Sequence, residues 1–475
     1  MSEARSFVGS GLAQRNGGPV GLAILVAILL LGLGLRLDYA WDGREPVFDA
    51  AAYAEIAANL ERGAGFTLAA DATQPASNYS PGLPLLITGL YELTGGVHER
   101  TARIVLALLG TLSILFAYLI AYRLRRSMHR PQSGVSDASS VVAGLGAAAA
   151  IATYPALLEY QGMFMGEPLA ATLLAGAVLA MLWAADKDGR AAWLLPGVLL
   201  GGLTLTRPEY LGVAVLVAVV VFARDRRAWR TALAQAGILL AGLVLVVAPW
   251  TVRNAIALDR FVPVSTGGGQ VLFAGTYLPS DGDPEKVGEE VLDRHPGLTR
   301  RFVEDFVGQR SLLMSPSATN SERVAAVVER VRLEQILARL AAQRYPSVET
   351  DQALARMGRE QLWNDINEKP VEYAGFVAAK VWRIWSQGPR EVMDKPGWKV
   401  FHWLLVALGL LGFAALARQR RWEALLLATI FVSITAASAL LVASPRRVLV
   451  MLPLVAALAG VGAVACRDSL ARWNR

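Results

Sequence analysis

Two carboxylates and a set of guanidiniums stand where polar loops of this chain meet its apolar runs. Asp49, Tyr53 and Ala57, in PVFDAAAYAEIAANLERG, repeat at i, i+4 and i+8, so the acid and the phenol share one face of a short helix. Asp49 opens that helix, and two roles suit it equally: N-cap and general base. Glu167 follows in Met163-Phe164-Met165-Gly166-Glu167-Pro168-Leu169, where Pro168 suits a helix start. The acid there either complements the helix dipole or takes part in chemistry. Arg207 in Thr206-Arg207-Pro208-Glu209, Arg253 in Pro249-Trp250-Thr251-Val252-Arg253-Asn254 and Arg446 in Ser444-Pro445-Arg446-Arg447 bring cations to similar boundaries. Asn78-Tyr79 lies in a loop stiffened by Pro81 and Pro84. For any one cation at the end of a span, a snorkelling anchor is the simpler reading. Together these groups outline a polar cavity at one membrane surface. Such a cavity suits a substrate that is half lipid and half phosphate, because a guanidinium fork binds phosphate bidentately. A partly desolvated carboxylate beside it can serve as a base.

The elements that must position these groups are membrane helices. The chain has 475 residues, 54% hydrophobic and 18% charged, with a mean hydropathy of +0.41. Soluble domains run at about 45–50% apolar and about 25% charged. The apolar residues form runs near 19–37, 101–122, 139–155, 163–185, 191–206, 209–223, 233–250, 399–417, 422–443 and 447–465, ten candidate spans. Gly82 to Leu93 is too short to cross and reads as re-entrant or interfacial. The first run continues as GLAILVAILLLGLGLRL without a small-residue cleavage site and is expected to stay in the membrane.

Orientation follows from the short loops. Arg5 and Arg15; Arg123, Arg125, Arg126 and Arg130; Lys187 and Arg190; Arg224, Arg226, Arg227 and Arg230; Arg418, Arg420 and Arg421; and Arg467, Arg472 and Arg475 alternate with cation-poor segments. Ten spans put all six clusters on one side, so both termini are expected in the cytoplasm and the segments 38–100 and 251–398 outside. The organisation that follows is an N-terminal transmembrane catalytic module over 1–250, an extracytoplasmic helical region over 251–398, and C-terminal spans over 399–475. Within the middle region, ERVAAVVERVRLEQILARLAAQ has helical periodicity, and VEYAGFVAAKVWRIW, which carries Lys380, is amphipathic as at a lipid–water boundary. The expected class is an all-α polytopic membrane protein with juxtamembrane helices on its outer face.

Other chemistries are poorly supplied. Cys466 is the single cysteine, which leaves no intrachain disulfide and no thiolate zinc site, and His98, His129, His295 and His402 lie far apart. The net charge of +7 is explained by membrane topology, so no nucleic-acid partner is expected. No phosphate-binding fingerprint sits between a strand and a helix. Gly267–Gly269 is a weak phosphate cradle and reads better as a turn.

The order of motifs resembles a known superfamily. An Asp-x-x-x-Tyr helix follows the first span, then Pro-Gly-x-Pro-Leu, Gly-Glu-Pro-Leu, PWTVRNAIALDRFVPVSTGGG and, near the end, SPRRVLVMLPLVAALAG. This is similar to the bacterial membrane glycosyltransferases of the GT-C fold, related to dolichyl-phosphate-mannose–protein mannosyltransferases and lipid A aminoarabinose transferases. The resemblance covers almost the whole chain and is most specific over Pro249 to Gly269. It implies a polyprenyl-phosphate sugar as donor and transfer with inversion on the non-cytoplasmic side, to a lipid, glycan or protein acceptor. It matches the essential acid to Asp49, a second acid to Glu167 and a basic position to Arg207. The mechanism so implied has Asp49 and Glu167 as the catalytic acids, with Arg207, Arg253, Arg446 and Lys380 as candidates for holding the donor phosphate. Tyr53, Asn78 and Tyr79 then line the substrate. The aminoarabinose transferases carry charged residues where this chain has Asn78-Tyr79, a departure that argues against aminoarabinose and lipid A specificity. The Trp-Trp-Asp motif of the metal-dependent oligosaccharyltransferases is absent, so no obligatory metal or other cofactor is expected, although a divalent ion is not excluded. The rival class is a transporter or flippase of an amphipathic substrate, which would show matched halves with paired broken helices. A non-catalytic homologue is a third reading, and the intact Asp49 counts against it.

Overall fold

Backbone that runs through hydrocarbon must satisfy its N–H and C=O groups within the segment, so apolar runs of this length are obliged to be helical. The computed structural model describes residues 18–41, 46, 49–71, 74–128, 138–187, 189–225, 227–283, 285–307, 319–389 and 391–473, and among them every regular element is a helix. Arg5, Arg15, His129, Arg130, Arg226 and Arg475 lie outside the described residues. The chain forms two units: Met1–Ser265 with Gln387–Ile434 and Arg446–Arg475, and Thr266–Ser386 with Thr435–Pro445.

The first unit opens with α1 (Gly18–Trp41), two shorter helices α2 (Asp49–Glu61) and α3 (Gly82–Thr94), and the long α4 (Glu99–Ser127). Next come α5 (Ala138–Thr153), α6 (Pro155–Gly162), α7 (Gly166–Ala184), α8 (Leu194–Thr206), α9 (Tyr210–Ala223) and α10 (Trp229–Leu258). The second unit holds α11 (Gly268–Thr276), α12 (Val287–Arg294), α13 (Pro296–Phe302), α14 (Asn320–Val328), α15 (Leu333–Arg344), α16 (Thr350–Glu368) and α17 (Pro370–Ser386). The chain closes with α18 (Pro396–Ala417), α19 (Arg421–Leu440) and α20 (Arg446–Trp473).

All ten expected spans are helical, but they are not equal. Seven are long and apolar enough to cross a membrane, and α5 with α6 makes an eighth as a pair bent by 49°. The bend has a chemical cause. Pro155 has no N–H, so the Ile151 carbonyl loses its helical donor. Arg36, buried in α1, replaces that donor with Nη2 at 3.2 Å and gives Nη1 to its own Gly32 carbonyl at 3.0 Å. The other two expected spans are shorter apolar helices, Arg190–Thr206 and Tyr210–Ala223. Pro208 stops the first of them, because the residue before proline is driven out of the helical region; Arg207 sits at φ −142°, ψ 95°.

Among the described residues, five of the six cation-rich segments meet at one end of this unit. Arg123 pairs with Asp186 and Arg125 with Asp468. Arg224 donates to the Ala185 carbonyl at 2.6 Å and Arg420 to that of Ser127 at 2.7 Å. That end holds the C-termini of α4, α7 and α20, so the N-termini of α7 and α20 belong to the other.

In the second unit Val291, Leu292, Phe302, Val327, Leu337 and Leu354 are part of one buried cluster. The periodic stretch expected as helix is realised as two, α14 and α15. Thr319 starts the first with a capping box, its hydroxyl taking the Glu322 N–H at 3.3 Å while the Glu322 carboxylate takes the Thr319 N–H at 2.8 Å. The N-terminus of α11, at the glycine run, has its donors satisfied from within the chain. Asp351 Oδ1 accepts from Gly269 N at 2.8 Å and from Gln270 N at 3.2 Å.

Close approach of α18 and α20 depends on glycine. A Cβ at Gly412 would lie 1.9 Å from the Leu458 carbonyl oxygen, whereas one at Gly34 would meet nothing within 4 Å. Gly412→Val is therefore expected to lower the thermal midpoint in detergent, at a cost of about 1–3 kcal/mol or more. Gly34→Ala should leave it unchanged or slightly raised, which a fluorescence-detected thermal melt of both variants will check.

Candidate active site

Two tight turns and a helix start bring the predicted acids and arginines of the first unit together. Between α6 and α7, Phe164 takes a left-handed conformation (φ 52°), which is unusual for an aromatic residue. Arg103 holds this turn: its Nη1 donates to the Gly162 carbonyl at 2.6 Å and its guanidinium lies 4.8 Å from the Phe164 ring centre. The turn delivers Glu167 into the first turn of α7. On the facing side, Gly82 of the Pro-Gly-x-Pro-Leu segment packs on the end of α8, where a Cβ would come within 2.5 Å of Thr206 Oγ1 and 2.7 Å of its backbone nitrogen. Only glycine permits this approach, and it sets the residue after Thr206, which is Arg207.

Glu167 is fully buried and pairs with Arg207 and Arg446. Its Oε1 receives both guanidiniums, with Arg446 Nε at 2.9 Å, while Oε2 has no hydrogen-bond partner. Arg446 then reaches outwards, with Nη1 and Nη2 each 3.3 Å from Asp49 Oδ2. The Asp49 side chain is 47% exposed and that of Arg446 34%, so this end of the cluster is open. Tyr53, one turn beyond Asp49 on α2, belongs to the same field. Its phenol is pushed up to about 12, chiefly by burial, with Arg207 and Arg446 opposing and Asp49 and Glu167 adding, so it stays protonated. Tyr79 meets Tyr53 edge-on at 5.9 Å, and Arg446 lies 5.5 Å from the Tyr160 ring centre. Asn78 is exposed beside Tyr79.

Of the six charged groups singled out in the sequence, Asp49, Glu167, Arg207 and Arg446 thus lie in one cluster, and the other two cations have different partners. Arg253 lies over the rings of Trp250 (4.8 Å) and Phe66 (5.5 Å) and donates to Asn254 Oδ1 at 3.1 Å. The polar side chains around it fold the following loop: Trp250, Thr251 and Asn254 donate to the carbonyls of Val262, Pro263 and Val264 at 2.7–3.1 Å. The stretch from Pro249 to Gly269 is therefore, over its first half, a loop-folding motif. Lys380 belongs to the second unit, where its ammonium donates to the carbonyls of Gly275 and Leu441 at 2.6 Å each.

Glu209 and Arg447, for which the sequence alone suggests no role, pair at 3.6 Å, each about one-sixth exposed. A signal was available. Consecutive arginines in the first turn of α20 oppose its dipole, so they need acids from elsewhere.

No protein-family profile and no curated protein matches the chain; solved structures do. The archaeal oligosaccharyltransferase AglB from Archaeoglobus fulgidus, in complex with an inhibitory peptide and a dolichol-phosphate, is 14% identical over 96% of this chain and 51% of its own, with a TM-score of 0.54. An Archaeoglobus fulgidus oligosaccharyltransferase in complex with Zn and sulfate gives 14% identity over 94% of this chain and 49% of its own, with a TM-score of 0.51. ArnT from Cupriavidus metallidurans in the apo state gives 16% identity over 93% and 77%, with a TM-score of 0.37. The chain spans about half the length of the oligosaccharyltransferases it matches. The likeness shows the fold: an all-α, multi-pass arrangement of the GT-C type.

Glu167 and Asp49 differ sharply in what their loss should cost. Glu167→Gln leaves two guanidiniums around a neutral buried amide, and breaking such a buried pair costs about 3–5 kcal/mol. Asp49→Asn removes a half-exposed contact, for which about 0–1 kcal/mol is expected. Thermal unfolding of the two purified variants should show a clear drop in midpoint for the first and almost none for the second.

Proposed function

We propose that the protein is an inverting glycosyltransferase that moves a sugar from a polyprenyl-phosphate donor to an acceptor hydroxyl at the extracytoplasmic face of a membrane. One observation carries the reading. Glu167, Arg207 and Arg446 together hold a charge of +1 around a fully buried carboxylate, and their open side meets a half-exposed acid, Asp49. A surplus of positive charge on two partly exposed guanidiniums, anchored at the end of apolar helices, suits a phosphodiester whose tail stays in lipid. The likeness in fold to an oligosaccharyltransferase solved with dolichol-phosphate supports the same donor class.

In this mechanism Glu167 touches no reacting atom. It is a positioning residue that holds both guanidiniums. Arg207 and Arg446 take the donor phosphate oxygens. The 3.3 Å contacts from Arg446 to Asp49 are longer than the ~2.7–2.9 Å of a strong charge-assisted bond, so they yield readily to phosphate. Asp49 then accepts the proton of the acceptor hydroxyl as its oxygen bonds to the anomeric carbon. The bond from that carbon to the phosphate oxygen breaks on the opposite face, and its electron pair leaves with polyprenyl phosphate. Tyr53, kept protonated, lies beside the base as a hydrogen-bond donor to the sugar or its acceptor. Arg253, which lies over aromatic rings, and Lys380, which donates to two carbonyls in the second unit, are given no part in this mechanism.

In nanodiscs supplied with radiolabelled sugar on polyprenyl phosphate and with membrane extract as acceptor, Asp49→Asn is expected to reduce turnover by about 10²-fold or more while donor binding persists. Transfer from a nucleotide sugar in membranes stripped of polyprenyl phosphate would end the reading. The side of the membrane has its own check. In a Cys466→Ala background, a cysteine at Lys286 should react with an impermeant maleimide in intact cells and one at Gln419 should not. The reverse pattern would put the site in the cytoplasm.

A further inference from the structure

A solved oligosaccharyltransferase of this fold holds zinc, so the cluster's donors bear on whether it would take a metal. Among the described residues, no three of His, Cys, Asp and Glu come together. Two carboxylates with a substrate phosphate can still hold a magnesium-like ion, so the count alone does not decide. The charges and lone pairs do. Arg446 places Nε on Glu167 Oε1 at 2.9 Å and both Nη atoms 3.3 Å from Asp49 Oδ2, which makes it the bridge between the two acids. Arg207 occupies the same Glu167 oxygen. Glu167 Oε2 has no partner, but an ion drawn to it or bridging to Asp49 Oδ2 would sit against the two guanidiniums already held on these carboxylates. The residues present do not fit a metal.

We propose that the Arg446 guanidinium is the built-in cation of this site, standing between Asp49 and Glu167 where a divalent ion would otherwise lie, so that the site works without one. Three features agree. Arg446 opens α20, where a cation opposes the helix dipole, so helix stability does not explain its place. Its Nε serves Glu167 and both Nη atoms serve Asp49, with Nη2 also 3.9 Å from Met165 Sδ, and its side chain is 34% exposed. A guanidinium also does for phosphate what a divalent ion does: it neutralises charge and fixes two oxygens, here without exchange of the ion. The consequence for transfer rests on the function proposed above, whereas the consequence for metal binding does not.

Chelator-stripped protein in nanodiscs, titrated with Mn²⁺ and followed by electron paramagnetic resonance, tests this directly. Wild type is expected to show no tight Mn²⁺ site. Arg446→Ala opens the space between the acids and should bind one Mn²⁺ at least ~10-fold more tightly, a gain that Arg446→Ala with Asp49→Asn should lose. If the alanine variant does not fold, Arg446→Gln, which keeps most of the side chain's bulk, serves the same purpose. Transfer by wild type should be indifferent to EDTA. Tight Mn²⁺ binding by wild type that disappears in Asp49→Asn would overturn the proposal, as would EDTA inhibition reversed by a divalent ion. A folded Arg446 variant that binds Mn²⁺ no better than wild type would overturn it too. Absence of transfer from every lipid-linked donor would count against the function alone, because the resonance titration still decides the metal question.

Discussion

The site depends on a single buried carboxylate shared by two guanidiniums. Glu167 has no exposure and accepts Arg207 and Arg446 on the same oxygen. Neither arginine has reason to be there without it. Arg207 follows a helix stopped by Pro208, and Arg446 starts a helix whose dipole repels it. An isolated charge in such surroundings would cost several kcal/mol, so the trio forms only as a unit. Its surplus positive charge then dictates what can stand on the open side, and an acid or a phosphate both satisfy it.

Much of the scaffold serves to bring these three residues to one place. The turn that carries Glu167 runs through a left-handed Phe164 and is held by Arg103, itself buried in α4. Arg207 is set by the contact of Gly82 with Thr206. The bend at Pro155 is stabilised by Arg36, which replaces a lost backbone donor rather than pairing with an acid. Arginines in this protein thus do two different jobs. Arg36 and Arg103 donate to backbone carbonyls at a bend and a turn, whereas the half-buried Arg207 and Arg446 carry the charge of the site.

The fold was largely legible because the signal for it is physical and local. Apolar runs of bilayer length leave the backbone only one way to bond, and charge alternation between them places the connectors. Legibility failed where the outcome depends on tertiary partners. Arg253 and Lys380 have the same charge as Arg446 and lie in equally suggestive segments. What separates them is a pair of aromatic rings in one case and two carbonyls in the other. Likewise, the glycine run at Gly267 offers a helix N-terminus that Asp351, far along the chain, already fills. Asp49 and Glu167 looked equivalent as acids beside helix starts. Only burial and partners distinguish the half-exposed acid from the buried one.

A cryo-electron microscopy structure of the protein with polyprenyl phosphate in nanodiscs tests the central claim most directly. Phosphate oxygens are expected within ~3 Å of the guanidiniums of Arg207 and Arg446, with Glu167 still holding both. The contact between Arg446 and Asp49 should be opened, so that Asp49 faces the acceptor side. Phosphate bound elsewhere, with Arg446 still closed on Asp49, would contradict it.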